Sequence, residues 1–276
     1  MKHRDDHFTT DDGLNLYYQV WEPDGKPKAI LQIVHGLAEH SSRYMNVVNS
    51  LVPNNFIVYC NDLRGHGKSE GIRGYVNSFN DYYQDAKKFT HLIKEEQVNV
   101  PLFLLGHSMG VIIAIEYAIK YSKELKGVIF SGFGYPATSK VNPLVVLLSG
   151  LLSKIRPKGK VNTNLADDIS SDPKVVEAYK NDPLVFTFVT YRLGAEYLKV
   201  SKKLPESLSK IQLPILVQSG KLDKLTLDPV KLFSYITVSD KQLKYYEGLY
   251  HEVYNEPQPG RNQVLIDLKE WLEDHL

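Results

Sequence analysis

A five-residue pattern, Gly106-His-Ser-Met-Gly110, separates two apolar stretches of different length. Residues 102–105 before it have the length and composition of a buried strand, and residues 109–121 after it have those of a buried helix. A serine between such elements lies on a very tight turn, where Gly106 and Gly110 avoid the collision that a Cβ would cause. The pattern is typical of a nucleophile elbow, although a chance match would leave the serine as a turn or helix-capping hydroxyl. We therefore predict that Ser108 is a nucleophile.

Strands and helices are predicted to alternate along most of the chain. The continuous apolar runs Ala29–Val34 and Phe56–Asn61 are typical of central strands that are covered on both faces. Between them, Ser41 or Ser42 is expected to cap a helix that reaches Leu51. Further strands are predicted at residues 14–20, 127–131, 214–219 and 243–247, the first in a hairpin with residues 8–10, and further helices at residues 78–97 and 258–276.

This alternation predicts the fold class and the division of the chain. Strands that alternate with helices imply right-handed crossovers, so the fold is expected to be α/β with a mostly parallel central sheet flanked by helices. Residues 135–205 interrupt the alternation and are too long for a structureless loop inside a compact domain. We predict a core formed by residues 1–134 and 206–276, with residues 135–205 as a helical lid over the carboxyl ends of the strands.

One part of the predicted lid is strongly apolar. Residues 141–155 contain few polar side chains, but the run is shorter than the ~20 residues that a membrane span needs. A basic cluster overlaps its end and continues beyond it: Lys154, Arg156, Lys158 and Lys160. This composition is typical of a lid helix with a solvated basic end, and it also suits a lid that lies transiently on a lipid surface.

A nucleophilic serine needs a base, and the base needs an acid that holds and charge-stabilises it. In folds with this elbow the chain order is serine, acid, histidine. Of the nine histidines, His251 and His275 are the two that follow Ser108, and His275 is expected to be solvated near a frayed end. His251 is therefore the predicted base. Asp223, directly after a predicted strand, is the predicted acid, with Asp228 as the alternative unless it caps a helix.

The tetrahedral intermediate of acyl transfer needs backbone donors for its negative oxygen. One donor is predicted to be the N–H of Met109, and the other the N–H of Leu37, in the loop where Gly36 allows a close approach. This chemistry needs neither a metal nor a cofactor, and we predict none. Cys60 is the only cysteine, which excludes an internal disulfide and a multi-cysteine metal site. His66, between two glycines, is expected to have a structural hydrogen-bonding role.

The net charge of the chain bears on which partners it can bind. A net charge of +1 gives no reason to expect nucleic acid, whose binding needs a concentrated basic face. The charged first seven residues lack the apolar segment of a secretory signal. We therefore expect a cytoplasmic protein, peripheral to a membrane if the lid contacts lipid, with a small lipid ester as its partner. The sequence predicts no oligomeric state.

Several sequence blocks together resemble serine hydrolases of the α/β-hydrolase superfamily, and in particular the monoacylglycerol lipase and lysophospholipase group. The blocks are His35-Gly-Leu-Ala-Glu-His-Ser-Ser-Arg-Tyr44, Asp62-Leu-Arg-Gly-His-Gly-Lys-Ser-Glu-Gly71, Gly106-His-Ser-Met-Gly110, Tyr179-Lys-Asn-Asp-Pro-Leu184, Gly220-Lys-Leu-Asp223 and Tyr246-Glu-Gly-Leu-Tyr-His251. The resemblance implies an α/β-hydrolase fold with a helical lid, and it also implies Leu37 as an oxyanion donor.

The same resemblance implies a substrate pocket. Four residues match its polar part: Glu39, Arg43, His107 and Tyr179. They would hold a diol headgroup by hydrogen bonds while an apolar tunnel under the lid takes the acyl chain. The alternative for Glu39 and Arg43 is an ion pair that only fixes their loop.

The implied function is a carboxylic ester hydrolase that releases fatty acid from monoacylglycerol through an acyl-serine intermediate. A lysophospholipase and a broad short-chain carboxylesterase are the enzymatic alternatives. The remaining alternative is a non-catalytic binding protein that has the same fold.

Overall fold

The first half of the chain alternates strands with helices, as the apolar runs predict. A computed structural model describes residues 1–137 and 143–276. The elements of this half are β1 (Lys2–Thr9), β2 (Asn15–Glu22), β3 (Ala29–Val34), α1 (Met45–Leu51), β4 (Phe56–Asn61), α2 (Phe79–Glu96), β5 (Leu102–His107), α3 (Met109–Lys120) and β6 (Gly127–Ser131). Every residue of β3, β4, β5 and β6 is buried, as expected for strands that are covered on both faces.

After β6 the chain enters the predicted lid, residues 135–205, which is mostly helical. Its elements are β7 (Tyr135–Pro136), α4 (Pro143–Leu147), α5 (Ser149–Ile155), β8 (Lys160–Asn162), α6 (Pro173–Asn181), β9 (Phe188–Thr190), α7 (Tyr191–Ser201) and α8 (Leu204–Leu208), the last of which crosses the predicted boundary. The apolar run at residues 141–155 contains two short helices, α4 and α5. Residues 141 and 142 of that run lie outside the described residues. Along the described ranges, no helix has both the length and the apolar character needed to cross a bilayer.

The last part of the chain completes one sheet. It contains β10 (Ile215–Gly220), β11 (Thr226–Leu227), α9 (Pro229–Ser234), β12 (Lys241–Tyr246) and α10 (Gly260–Asp274). The eight strands of the main sheet lie in the order β1-β2-β4-β3-β5-β6-β10-β12. The hairpin partner β1 and strand β2 are antiparallel, β2 is antiparallel to β4, and the remaining neighbours are parallel. This is the mostly parallel α/β sheet that the alternation predicts.

Helices cover both faces of the sheet and create two apolar cores. Helices α2 and α3 pack on one face, and α1 and α10 pack on the other. A capping box between Ser78 and Asp81 starts α2 within its predicted range. Because β3, β5, β10 and β12 are parallel, the loops that follow them meet at one edge of the sheet. The predicted oxyanion loop with Leu37 follows β3 and Ser108 follows β5. Asp223 follows β10 and His251 follows β12.

Two local predictions are wrong, because in both cases the side chain contacts a partner that the prediction did not consider. Neither Ser41 nor Ser42 caps a helix: residues Ser41–Tyr44 form a 3-10 turn without a side-chain cap. Their hydroxyls instead accept hydrogen bonds from Gln19 Nε2, at 2.7 and 2.9 Å. His275 is not a solvated terminal side chain. Its ring stacks on Trp271 with the centroids 4.2 Å apart, and its Nδ1 lies 2.6 Å from the Trp271 carbonyl oxygen.

Candidate active site

Ser108 lies at the turn between β5 and α3 with a φ of 52°, which residues with a Cβ seldom adopt. The glycines around it are required by close contacts. A Cβ on Gly106 would lie 2.6 Å from the Gly110 carbonyl oxygen, and one on Gly110 would lie 2.2 Å from that of Val34. The N–H of Ser108 donates to the Ser131 carbonyl at 2.8 Å, which ties the turn to β6. The turn is therefore held in a strained conformation by the three strands around it.

His251 and Asp223 approach each other from the loops after β12 and β10. The Nδ1 of His251 lies 2.8 Å from Asp223 Oδ2. The carboxylate also accepts hydrogen bonds from the N–H groups of Leu225 and Thr226, at 2.8 and 3.1 Å, and from the Thr226 hydroxyl at 2.5 Å. Asp228, the alternative acid, precedes α9 at the N-cap position, but its side chain makes no capping bond there. The structure thus brings Asp223, and not Asp228, into contact with the histidine.

The electrostatics of this pair favour a charged imidazole. Burial acts to lower the pKa of His251, but the charge and hydrogen bond of Asp223 outweigh it, so the pKa is raised. Burial acts to raise the pKa of Asp223, but its interaction with His251 outweighs that effect, so the pKa is lowered. A histidine in this environment can accept a proton from a nearby hydroxyl, since the resulting imidazolium is stabilised by a fixed carboxylate.

Ser108 and His251 line one cavity with a volume of about 150 Å³. Several further side chains on its wall are polar, and four of them form what we call the polar cluster: Glu39, His107, Tyr179 and Glu252. The predicted lid segment supplies much of the apolar wall, with Val146, Val161, Leu165, Val189 and Leu198. The cavity therefore offers hydrogen-bonding groups and an apolar surface beside the same serine.

The two predicted oxyanion donors lie next to the nucleophile. Met109 is the first residue of α3, so its N–H has no partner inside the helix. Leu37 lines the cavity, and Gly36 beside it lets the loop approach Ser108. A Cβ on Gly36 would lie 3.1 Å from the Cβ of Ser108 and 2.9 Å from Glu39 Oε1. The role of both N–H groups stays a prediction.

His107, which lies inside the elbow, is the member of the polar cluster that directly precedes the nucleophile in the chain. Its Nδ1 lies 3.3 Å from Ser131 Oγ and its Nε2 lies 3.9 Å from Glu39 Oε1. Its ring centroid is 4.9 Å from that of His251. Burial, with the nearby charge of His251, holds the pKa of His107 well below the ordinary value, so this imidazole is neutral at physiological pH.

Arg43 pairs mainly with a residue that the sequence did not single out. Its Nη2 donates to both carboxylate oxygens of Glu252, at 2.7 and 2.5 Å, whereas its Nε lies 3.5 Å from Glu39 Oε2. The guanidinium also lies over the Tyr179 ring, 4.7 Å from its centroid. In the described part of the chain Arg43 is not among the residues on the cavity wall, while Glu252 is. The one available signal for Glu252 was its position directly after His251.

Comparison with known proteins identifies the family of this chain. The sequence profile of the serine aminopeptidase (S33) family matches residues 25–258. The chain belongs to this family. It is 33% identical over 269 residues to a monoacylglycerol lipase from Mycolicibacterium smegmatis, across 96% of this chain and 95% of that protein. It is 32% identical over 244 residues to the phospholipase YtpA from Bacillus subtilis, across 87% of this chain and 93% of that protein.

Solved structures show the same likeness in three dimensions. The fold matches a soluble variant of monoglyceride lipase from Saccharomyces cerevisiae, in complex with a substrate analogue, with a TM-score of 0.87 and 25% identity. That match covers 98% of this chain and 94% of the other. The chain is thus a serine ester hydrolase with the α/β-hydrolase fold, as the resemblance implies, and its relatives include lipases.

In this hydrolase the lid is attached to the loop that carries Leu37 and Glu39. His40 Nε2 lies 2.9 Å from Asp182 Oδ2, and the N–H of Phe186 donates to the Ala38 carbonyl at 3.4 Å. These contacts join the two sequence blocks at residues 35–44 and 179–184, which are far apart in the chain. These contacts hold Asp182 and Phe186 of the predicted lid against the loop that forms the cavity wall next to Ser108.

His66 has the structural surroundings that its sequence context predicts. Its Nδ1 lies 3.0 Å from the Arg64 carbonyl oxygen, and its ring packs against Phe186 and His35, with centroids 4.9 and 5.3 Å away. Burial, followed by the effect of His35, lowers the pKa of His66 to about 3, so the ring is neutral. The residue lies against a lid phenylalanine and supports the loop beneath the lid.

Proposed function

We propose that this hydrolase releases fatty acid from monoacylglycerols through an acyl-Ser108 intermediate, with His251 as base and Asp223 as acid. One observation carries the proposal: an elbow serine and a buried His251, which is paired with Asp223, border a single cavity that has both a polar cluster and an apolar wall from the predicted lid. A monoacylglycerol has the matching chemistry, since its diol forms hydrogen bonds and its acyl chain needs an apolar surface. The relatives that are lipases support the same substrate class.

The reaction would proceed in two acyl transfers. His251 takes the Ser108 proton while Oγ attacks the ester carbon, and the N–H groups of Leu37 and Met109 hold the negative oxygen. The intermediate then collapses as His251 gives its proton to the leaving glycerol oxygen, which leaves an acyl ester on Ser108. Water, deprotonated by His251, attacks that ester, and His251 returns the proton to Ser108 Oγ as the C–O bond breaks and the fatty acid is released. Asp223 stabilises the imidazolium at both stages.

The polar cluster would hold the glycerol part. Tyr179 can donate a hydrogen bond to a substrate hydroxyl and a carboxylate such as Glu39 can accept one. Burial, with the neighbouring charge of Glu252, raises the pKa of Glu39, and the positive charge of Arg43 opposes the rise. Glu39 is itself fixed by the Gly36 N–H at 2.7 Å and by the Tyr44 hydroxyl at 2.9 Å. These contacts pre-organise the acceptor before the substrate arrives.

A substrate panel tests this assignment against a lysophospholipase, the alternative that the Bacillus relative favours. We expect kcat/KM for a monoacylglycerol to exceed that for lysophosphatidylcholine of the same acyl chain by at least ~10-fold, about 1.4 kcal/mol of discrimination. A p-nitrophenyl ester series measures the reactivity without a headgroup. A clear preference for lysophosphatidylcholine would overturn the monoacylglycerol assignment, and no turnover of any ester would favour a binding protein.

We also propose that α4 and α5 contact a lipid surface. Leu147, Leu151 and Ile155 on these helices are 79%, 55% and 73% exposed. The exposed side chains of Lys154 and Arg156 lie beside them and suit anionic lipid headgroups. Val146 and Ser149 from the same two helices line the cavity, so a lipid held at this surface lies close to the site.

The double variant Leu147→Ser with Leu151→Ser tests the contact. Removing two inserted leucines should weaken binding to anionic phospholipid vesicles by ~10- to 100-fold, since each contributes about 1 kcal/mol or more. Sedimentation with vesicles gives the bound fraction, and turnover of soluble p-nitrophenyl butyrate reports the folded fraction. The control is Val98→Ser, an exposed apolar residue before the amino end of β5. If the double variant and Val98→Ser bind vesicles equally well, the proposal that α4 and α5 contact the lipid surface is wrong.

A further inference from the structure

Two carboxylates and one guanidinium meet at the polar cluster. Glu39 and Glu252 line the cavity, and Arg43 pairs with both. All three side chains are at least nine-tenths buried. Burial and the charge of Glu252 raise the pKa of Glu39 to about 7, so above that pH both carboxylates are ionised and the group carries a net charge of −1 beside the nucleophile. His107, the neighbouring imidazole, is neutral and adds no positive charge.

The buried guanidinium of Arg43 is engaged by Glu252, although its Nε has no hydrogen-bond partner within residues 1–137 and 143–276. Its Nη2 donates to both oxygens of Glu252, its Nε faces Glu39 at 3.5 Å, and its plane lies over the Tyr179 ring. Asn255 Nδ2 donates to Glu252 Oε2 at 2.9 Å and to the Arg43 carbonyl at 3.4 Å, which fixes the pair. Among the described residues Arg43 is not on the cavity wall whereas Glu39 and Glu252 are, so an anion in the cavity faces the two carboxylates rather than the guanidinium.

From this charge arrangement we infer that Glu252 is a specificity-determining residue that excludes negatively charged headgroups. The inference rests on the proposed function, because it concerns the headgroup of the same ester substrate. Neutral hydroxyls can donate hydrogen bonds to the carboxylates, whereas a phosphate monoester would meet two like charges in a buried site. The site accepts an acylglycerol and rejects the same acylglycerol once it carries a phosphate.

The sharpest test uses two substrates that differ only in that phosphate: 1-octanoylglycerol and 1-octanoylglycerol 3-phosphate. Both are kept below micelle-forming concentrations and assayed at a pH above the raised pKa of Glu39. Like-charge contact in a buried site costs several kcal/mol, so the wild type should prefer the neutral ester by at least ~100-fold in kcat/KM. Glu252→Gln keeps the shape, removes one charge and leaves Arg43 less neutralised. This variant should reduce the ratio of kcat/KM for the neutral ester to kcat/KM for the phosphate ester by at least ~10-fold, mainly through faster hydrolysis of the phosphate ester.

The matched control is Glu247→Gln. Glu247 is an exposed carboxylate four residues before His251, 80% exposed and paired with Lys221 outside the cavity. This variant should keep the wild-type ratio. If Glu252→Gln does not fold, as judged by its thermal melt, Glu39→Gln removes the other carboxylate and should narrow the same ratio.

The outcomes separate this inference from the proposed function. Similar hydrolysis of both substrates by the wild type, or an unchanged ratio in folded Glu252→Gln and Glu39→Gln, would overturn the inference and leave the monoacylglycerol assignment standing. Hydrolysis of p-nitrophenyl esters with no turnover of octanoylglycerol would overturn the assignment, and the inference with it.

Discussion

Ser108→Ala should reduce kcat for ester hydrolysis by about 10⁶-fold, the scale on which loss of a triad nucleophile acts. It should also abolish labelling by a fluorophosphonate. The reason is local: Ser108 Oγ is the atom that would form the acyl ester, and alanine keeps the Cβ at the same strained turn. Single-turnover kinetics and labelling with a fluorescent fluorophosphonate provide the two measurements.

The fold should survive this substitution. The turn is held by the Ser108 N–H bond to the Ser131 carbonyl and by the close contacts of Gly106 and Gly110, none of which involves the hydroxyl. A thermal melt should therefore show a transition near that of the wild type. Ser234→Ala, at an exposed serine on α9, is the control and should label fully. Persistent labelling of Ser108→Ala would place the nucleophile elsewhere.

Asp223→Asn should lower kcat by about 10⁴-fold, because an amide cannot stabilise the imidazolium and can hold His251 in the wrong tautomer. The pH profile should move as well. In the wild type the pKa of His251 is raised, so hydrolysis is lost as the pH falls through that raised value and the imidazole becomes protonated. Without the carboxylate the pKa falls, and the acid limb of kcat/KM should shift to lower pH.

Asp228→Asn provides the matched comparison, since Asp228 is the alternative acid and carries the same charge. Its side chain makes no capping bond to α9, and Asp223 is the carboxylate in contact with His251. We expect this variant to keep the wild-type kcat and the wild-type acid limb. A larger loss in Asp228→Asn than in Asp223→Asn, or an unshifted acid limb in Asp223→Asn, would contradict the assignment of the acid.

The triad candidates could be predicted because each depends on local sequence and chain order. The glycines of the elbow follow from contacts within a few residues and with one neighbouring strand, as the Cβ distances at Gly106 and Gly110 demonstrate. Asp223 and His251 follow strands, and parallel strands place such loops at one edge of the sheet. Their 2.8 Å contact agrees with that reasoning.

The polar cluster was harder to predict because its contacts join distant segments. Arg43 and Glu252 are 209 residues apart, so the preference of Arg43 for Glu252 over Glu39 has no local signal. The hydroxyls of Ser41 and Ser42 were assigned to a helix cap, but the distant Gln19 binds them instead. In both cases a side chain has several possible hydrogen-bond partners, and the segment that folds against it determines which partner it binds.

The sequence by itself therefore determined the fold class, the elbow and the order of the candidate triad. Steric exclusion at glycines and the period of apolar residues are short-range effects, and they act in the same way wherever the segment lies. Only the tertiary structure decided that Glu252 joins the cavity wall, that Arg43 binds it, and that His40 links the predicted oxyanion loop to Asp182 of the predicted lid. Such charge pairs depend on distances between segments that the chain brings together only when it folds.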